Sequence, residues 1–104
     1  MSDVLNEANF TKNVNTEFRV ELDSPRPIEL KLISVTPRVN EPTEQAGMER
    51  FSALFSGPPD FFLPQNTYRM VHPEMGEFEI FLVPIAKEAD GFRYEAVYNL
   101  FVAD

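Results

Sequence analysis

The chain has 104 residues, room for one domain, and 43% of them are apolar, with ten phenylalanines and no tryptophan, which fits a globular protein rather than a disordered one. No cysteine is present, so disulfides and thiolate metal sites are excluded, a composition that fits the cytosol. Seventeen acidic against nine basic residues leave a net charge of -8, which repels phosphate backbones and anionic membranes and argues against nucleic acid and lipid as partners.

The opening residues Met1-Ser2-Asp3-Val4-Leu5 carry neither a basic region nor an apolar run, so no signal peptide is expected and the product is assigned to the cytoplasm. No apolar stretch approaches the roughly 18 residues of a membrane helix. Residues 1–15 read as a short helical segment. Within it Phe10 and Val14 share a face, and Asn15 suits a left-handed helix end. The Asn9-Phe10-Thr11 triplet matches a glycosylation acceptor by chance.

From Thr16 the period becomes two. Glu17-Phe18-Arg19-Val20-Glu21-Leu22-Asp23 alternates charged and apolar side chains, as on a strand with one wet face. Ser24-Pro25-Arg26-Pro27 interrupts the ladder, because proline offers no donor. Residues 28–35 resume as a second strand, hairpin partner of the first. There Ile28, Leu30 and Leu32 share a face, but Ile33 and Val35 fall on the formerly polar one, which predicts a bend, a bulge or coverage of both faces at this end. Residues 37–48 form a long polar loop, the most mobile part expected of the chain.

Residues 51–56 are a third strand, stopped by Gly57-Pro58-Pro59. The fourth covers 67–71, the fifth 77–83 and the sixth 92–100, with Phe78, Ile80 and Leu82 alternating against Glu77 and Glu79 in the fifth. His72-Pro73-Glu74-Met75-Gly76 predicts a type I turn closed by a left-handed glycine, and Asp90-Gly91 ends the next link, so the last three strands read as an antiparallel meander. The fold class is therefore all-β: about six antiparallel strands over 16–101 forming a small barrel or sandwich, with a short N-terminal helix, in a single domain spanning 1–104. Periodicity does not choose between barrel and sandwich.

The strings Phe51-Ser52-Ala53-Leu54-Phe55-Ser56-Gly57-Pro58 and Leu63-Pro64-Gln65-Asn66-Thr67-Tyr68-Arg69 continue into His72-Pro73-Glu74-Met75-Gly76-Glu77, Phe81-Leu82-Val83-Pro84 and Arg93-Tyr94-Glu95-Ala96-Val97-Tyr98-Asn99. Together they resemble a family of uncharacterised bacterial proteins of about this length. The resemblance covers residues 51–99 and, more faintly, Thr16-Glu17-Phe18-Arg19-Val20. It implies a small stand-alone domain without an assigned activity. Some members accompany tail-fibre-like or tail-collar-like proteins, which implies a place in phage-tail-like assemblies or incorporation into a particle. Phe61 and Phe62 are more apolar than the family's habit at that place, so any role they have is particular to this chain.

No catalytic, cofactor-binding or metal-binding residue is predicted. His72 is the only histidine and sits before Pro73 at a strand end, where stabilising the turn is its expected role. Ser52 and Ser56 lie on a strand with no glycine-flanked elbow to expose a nucleophile. Glu77 and Glu79 alternate with apolar residues and face solvent, where their pKa values cannot be split for acid–base work. Tyr94 and Tyr98 share a core-facing side with Phe92 and Leu100, while Arg69 and Arg93 are placed to pair with strand glutamates.

The segment Pro58-Pro59-Asp60-Phe61-Phe62-Leu63-Pro64 frames two adjacent phenylalanines with prolines. Phe61, Phe62 and Leu63 form the candidate interaction loop, unless they fold back and plug one end of the sheet structure. The expected function is a non-enzymatic structural or adaptor domain that binds another protein or its own copies. A small-ligand-binding barrel is the alternative, and a minimal enzyme built on Glu, Tyr and His72 ranks last. Six strands make a narrow barrel that side chains alone fill, which places the ligand module second.

Overall fold

In the computed structural model the chain is described over residues 7–22, 28–37 and 48–101. One helix, α1 (Glu7–Lys12), precedes six strands: β1 (Glu17–Glu21), β2 (Ile28–Pro37), β3 (Met48–Gly57), β4 (Asn66–His72), β5 (Gly76–Glu88) and β6 (Gly91–Phe101). They close into a barrel in the order β1-β2-β3-β6-β5-β4, every neighbouring pair antiparallel. Closure follows from β1 pairing with β2 on one side and with β4 on the other, and it removes the open edges that invite aggregation. The architecture is a barrel and not a sandwich. The β1–β2 hairpin and the β4–β5–β6 meander stand as expected.

Alternation in sequence becomes alternation in burial. Phe18 and Val20 of β1 point inward between exposed Glu17, Arg19 and Glu21. Phe18, Leu30, Leu32, Phe55, Met70, Ile80, Leu82 and Tyr94 fill the interior with essentially no exposed surface. The parity change in β2 is a β-bulge: the β2–β3 register shifts between Leu32 and Ser34, leaving Ile33 as the extra residue. Past it Ser34 lies opposite Leu54, and Val35 turns towards the core opposite buried Ala53.

Several strand boundaries differ from expectation, most by one or two residues. β2 continues to Pro37 and β3 begins at Met48, so Thr36, Pro37 and Met48 are ladder residues; the rest of the predicted long loop, 38–47, lies outside the described residues. Proline is tolerated at Pro37 because β1 pairs only with residues 28–31, which leaves this end of β2 paired on one side alone. β5 runs past Pro84 to Glu88, since a second register shift between Pro84 and Ala86 absorbs the missing donor. Residues 1–6 and the Ser24-Pro25-Arg26-Pro27 break also lie outside the described residues.

Two plugs close the barrel. Phe10, from α1, meets the rings of Phe18, Phe51, Phe78 and Tyr98 at centroid distances of 5.5–6.2 Å. Asn15 ends the helical turn at φ 75°, as expected, and its N–H donates to the Leu32 carbonyl at 2.7 Å. At the other end, residues 58–65 cross from β3 past β6 and β5 to reach β4. Among the described residues no helix is long and apolar enough to cross a membrane.

Candidate interaction surface

The crossing segment is held by two tyrosine hydroxyls. The Leu63 N–H donates to Tyr94 Oη at 2.9 Å, and Tyr68 Oη donates to the Pro64 carbonyl. Leu63 is 2% exposed and belongs to the core, and Phe61 is half-buried against it. Only Phe62 of the three presents itself: it is 49% exposed, its ring edge-on to Phe92 at 5.1 Å. The segment is thus part plug and part surface. Proline-framed chain crossing a barrel mouth must bury its inward side chains to satisfy the core beneath.

Among the described residues the other large exposed apolar side chains lie elsewhere. Phe81 and Ile85 of β5 are each 50% exposed and Val97 of β6 is 43% exposed. In register, Leu54 of β3, Glu95 of β6 and Val83 of β5 stand side by side, all half-buried on the outer face. Val97 follows Glu95 by two residues on that same face. The outer side of β3–β6–β5 therefore carries Leu54, Val83, Phe81 and Val97, with Ile85 pushed out by the bulge at its margin. Sequence reading missed this face. The signal was the unbroken Phe81-Leu82-Val83 run, where alternation predicts polar residues at 81 and 83.

The opposite half of the barrel is charged. Across β2, β1, β4 and β5, Lys31 faces Glu17, Glu29 faces Arg19, and Arg69 lies between Glu21 and Glu79. Arg69 also forms an ion pair with Glu77, as expected, and its guanidinium holds the Glu77 carboxyl below the usual range. Glu17 has the reverse effect on Glu29, whose pKa it raises through a shared hydrogen bond and like charge. Arg93 does not pair with a strand glutamate. Its guanidinium reaches Asp90 at 2.9 Å and Ser56 Oγ at 3.2 Å, because the two-residue turn brings Asp90 beside it.

His72 is buried and fully committed. Its Nδ1 accepts the N–H groups of Glu74 (3.0 Å) and Met75 (3.3 Å), which shapes the β4–β5 turn. Thr16 donates its one hydroxyl hydrogen to the Asn13 carbonyl (2.6 Å), so His72 Nε2–H must donate to Thr16 Oγ1 at 2.9 Å. These bonds assign the neutral Nε2–H tautomer. Burial pushes the imidazole pKa down, opposed by the Glu74 carboxylate. Ser52 and Ser56 are ordinary half-buried strand residues. Among the described residues no group of three or more His, Cys, Asp or Glu side chains could hold a metal ion.

The molecule is a small closed antiparallel barrel with a packed interior; among the described residues its outside carries charge across β2, β1 and β4 and an apolar cluster on β3, β6 and β5 beside Arg93 and Glu95. The chain belongs to the family described as a domain of unknown function (DUF6916), whose model matches residues 5–98. No curated protein and no solved structure matches it.

Proposed function

We propose that this chain is a non-enzymatic structural or protein-interaction domain whose contact face is the outer side of β3, β6 and β5. The observation that carries this reading is the gathering of Phe81, Val83, Val97 and Leu54 on one half of a barrel whose other half is studded with charge. Contiguous apolar surface on a small protein marks an interaction site. Phe62, on the crossing segment, is a second exposed apolar point. His72, whose two ring nitrogens are both occupied, supports the non-enzymatic part. The packing of Phe18, Leu30, Phe55 and Tyr94 inside the barrel supports this reading over the ligand-binding alternative.

The test compares capture of host proteins by the parent chain, by Val97→Lys on the apolar face and by Thr11→Lys on α1. The reading expects Val97→Lys to lose what the other two retain. Equal capture by all three would sink it. The finer version, a component of a phage-tail-like particle, rests on the family resemblance. It predicts tail-type genes beside this one, and a neighbourhood free of them would remove its support.

A further inference from the structure

We infer that the free edge of β6, over residues 96–101, receives an extended, basic peptide strand from a partner protein. The inference rests on the contact-face reading above and names what that face takes. The barrel closes once around, yet its strands are not laddered on both sides along their whole length. β6 pairs with β3 from Phe92 to Phe101, but with β5 only as far as Val83 opposite Glu95. Beyond that pair the two strands part. Residues 76–82 of β5 follow β4, and residues 96–101 of β6 keep β3 alone among the described residues. Alternate residues of an antiparallel strand turn N–H and C=O to either side, so this stretch of β6 offers a row of backbone donors and acceptors to the seam. Another extended backbone is what matches such a row along its length.

The exposed apolar side chains stand at the lips of this seam. Phe81 on β5 and Val97 on β6 are the next outward residues after Val83 and Glu95, where the ladder stops, and both are about half exposed. Other stretches paired on one side are guarded against strand addition. β2 beyond Lys31 carries the bulge at Ile33 and Pro37, and β5 beyond Leu82 carries Pro84 and a bulge of its own. Residues 96–101 of β6 have neither a proline nor a register shift. Charge sets the sign of the incoming strand. Glu95, at the head of the seam, has no ion pair among the described residues, and Glu79 is exposed on the β5 lip. The chain carries -8 overall. An apolar strand bearing lysine or arginine complements both glutamates, whereas an acidic one is repelled.

Selection from a library of random linear peptides on the immobilised chain tests this. The expected result is enrichment of peptides that alternate apolar with other residues and carry lysine or arginine. A selected peptide is expected to bind the parent and Thr11→Lys alike, and to lose binding to Val97→Lys, which sets a like charge on the lip. If Val97→Lys fails to fold by circular dichroism, Glu95→Lys replaces it. Added peptide is expected to slow amide hydrogen exchange within residues 96–101, and N-methylation of the peptide at one alternate set of residues to abolish binding. Failure to enrich such peptides, equal binding to parent and lip variants, or tolerance of N-methylation at both alternate sets overturns the inference. If the peptides fail while host capture is still lost on Val97→Lys, the face takes a folded surface in place of a strand. The strand inference then falls and the contact-face reading stands.

Discussion

Tyr94 and Tyr98 lie four residues apart on the inner side of β6, yet only Tyr94 has a partner for its hydroxyl, the Leu63 N–H. Removing Tyr94 Oη strands that N–H under the crossing segment, and an unsatisfied buried donor costs about 1–3 kcal/mol. Tyr98 Oη is buried without a hydrogen bond, and burial raises its pKa far above the ordinary phenol value. Denaturant titrations should therefore show Tyr94→Phe destabilised by about 1–3 kcal/mol and Tyr98→Phe unchanged or slightly stabilised. Two glycines make a similar contrast. A Cβ on Gly91 (φ 144°) would lie 1.9 Å from the Gly57 carbonyl oxygen, whereas one on Gly76 (φ 76°) meets nothing within 4 Å. Gly91→Ala is expected to cost about 3 kcal/mol or more, combining strain and a backbone clash, and Gly76→Ala about 1 kcal/mol. Equal losses in the two would show that the Gly57–Gly91 approach is looser than described.

At the scale of elements, the turn that follows α1 and the β4–β5 turn are tied through the His72–Thr16 bond. The turn and the Asn15 helix end were each legible, because a short window holds all the residues that make them. The His72–Thr16 bond spans 56 residues and was not. Its consequence is a pH dependence. The folded imidazole binds its proton less readily than the unfolded one, whose ordinary pKa is about 6.5. Between the two values the unfolded chain carries more protons, so stability is complete above about pH 6.5 and declines as the pH falls towards the folded value. Protonation also adds a hydrogen to Nδ1, which faces two N–H donors. Thermal unfolding between about pH 7.5 and 5.5 should show the parent losing stability while His72→Gln, already weaker, changes less. Parallel profiles would show that His72 does not titrate in this window.

For the whole molecule the dominant electrostatic term is repulsion, since -8 charges share one small barrel. The ion pairs Arg69–Glu77 and Arg93–Asp90 act the other way, but their carboxylates are well exposed and such pairs contribute little. Screening should therefore relieve more repulsion than it weakens attraction. The melting temperature is expected to rise on going from about 10 to about 150 mM salt, where the Debye length falls from about 30 to about 8 Å. A falling melting temperature would show that local pairs, and not the net charge, govern stability.

Strand identity, the parity change at Ile33 and the turn at Gly76 were determined by the sequence alone, because each depends on side chains within a few residues of one another. Closure was not, since a two-residue period reports only which side of a strand is buried. Whether that side faces a second sheet or the inside of a cylinder depends on β1 meeting β4, some fifty residues away. The crossing of 58–65 follows from that closure, and it decided that Leu63 plugs while Phe62 shows. The apolar half of the surface also came from tertiary structure. Leu54, Val83 and Val97 belong to three strands, and only pairing in register makes one face of them.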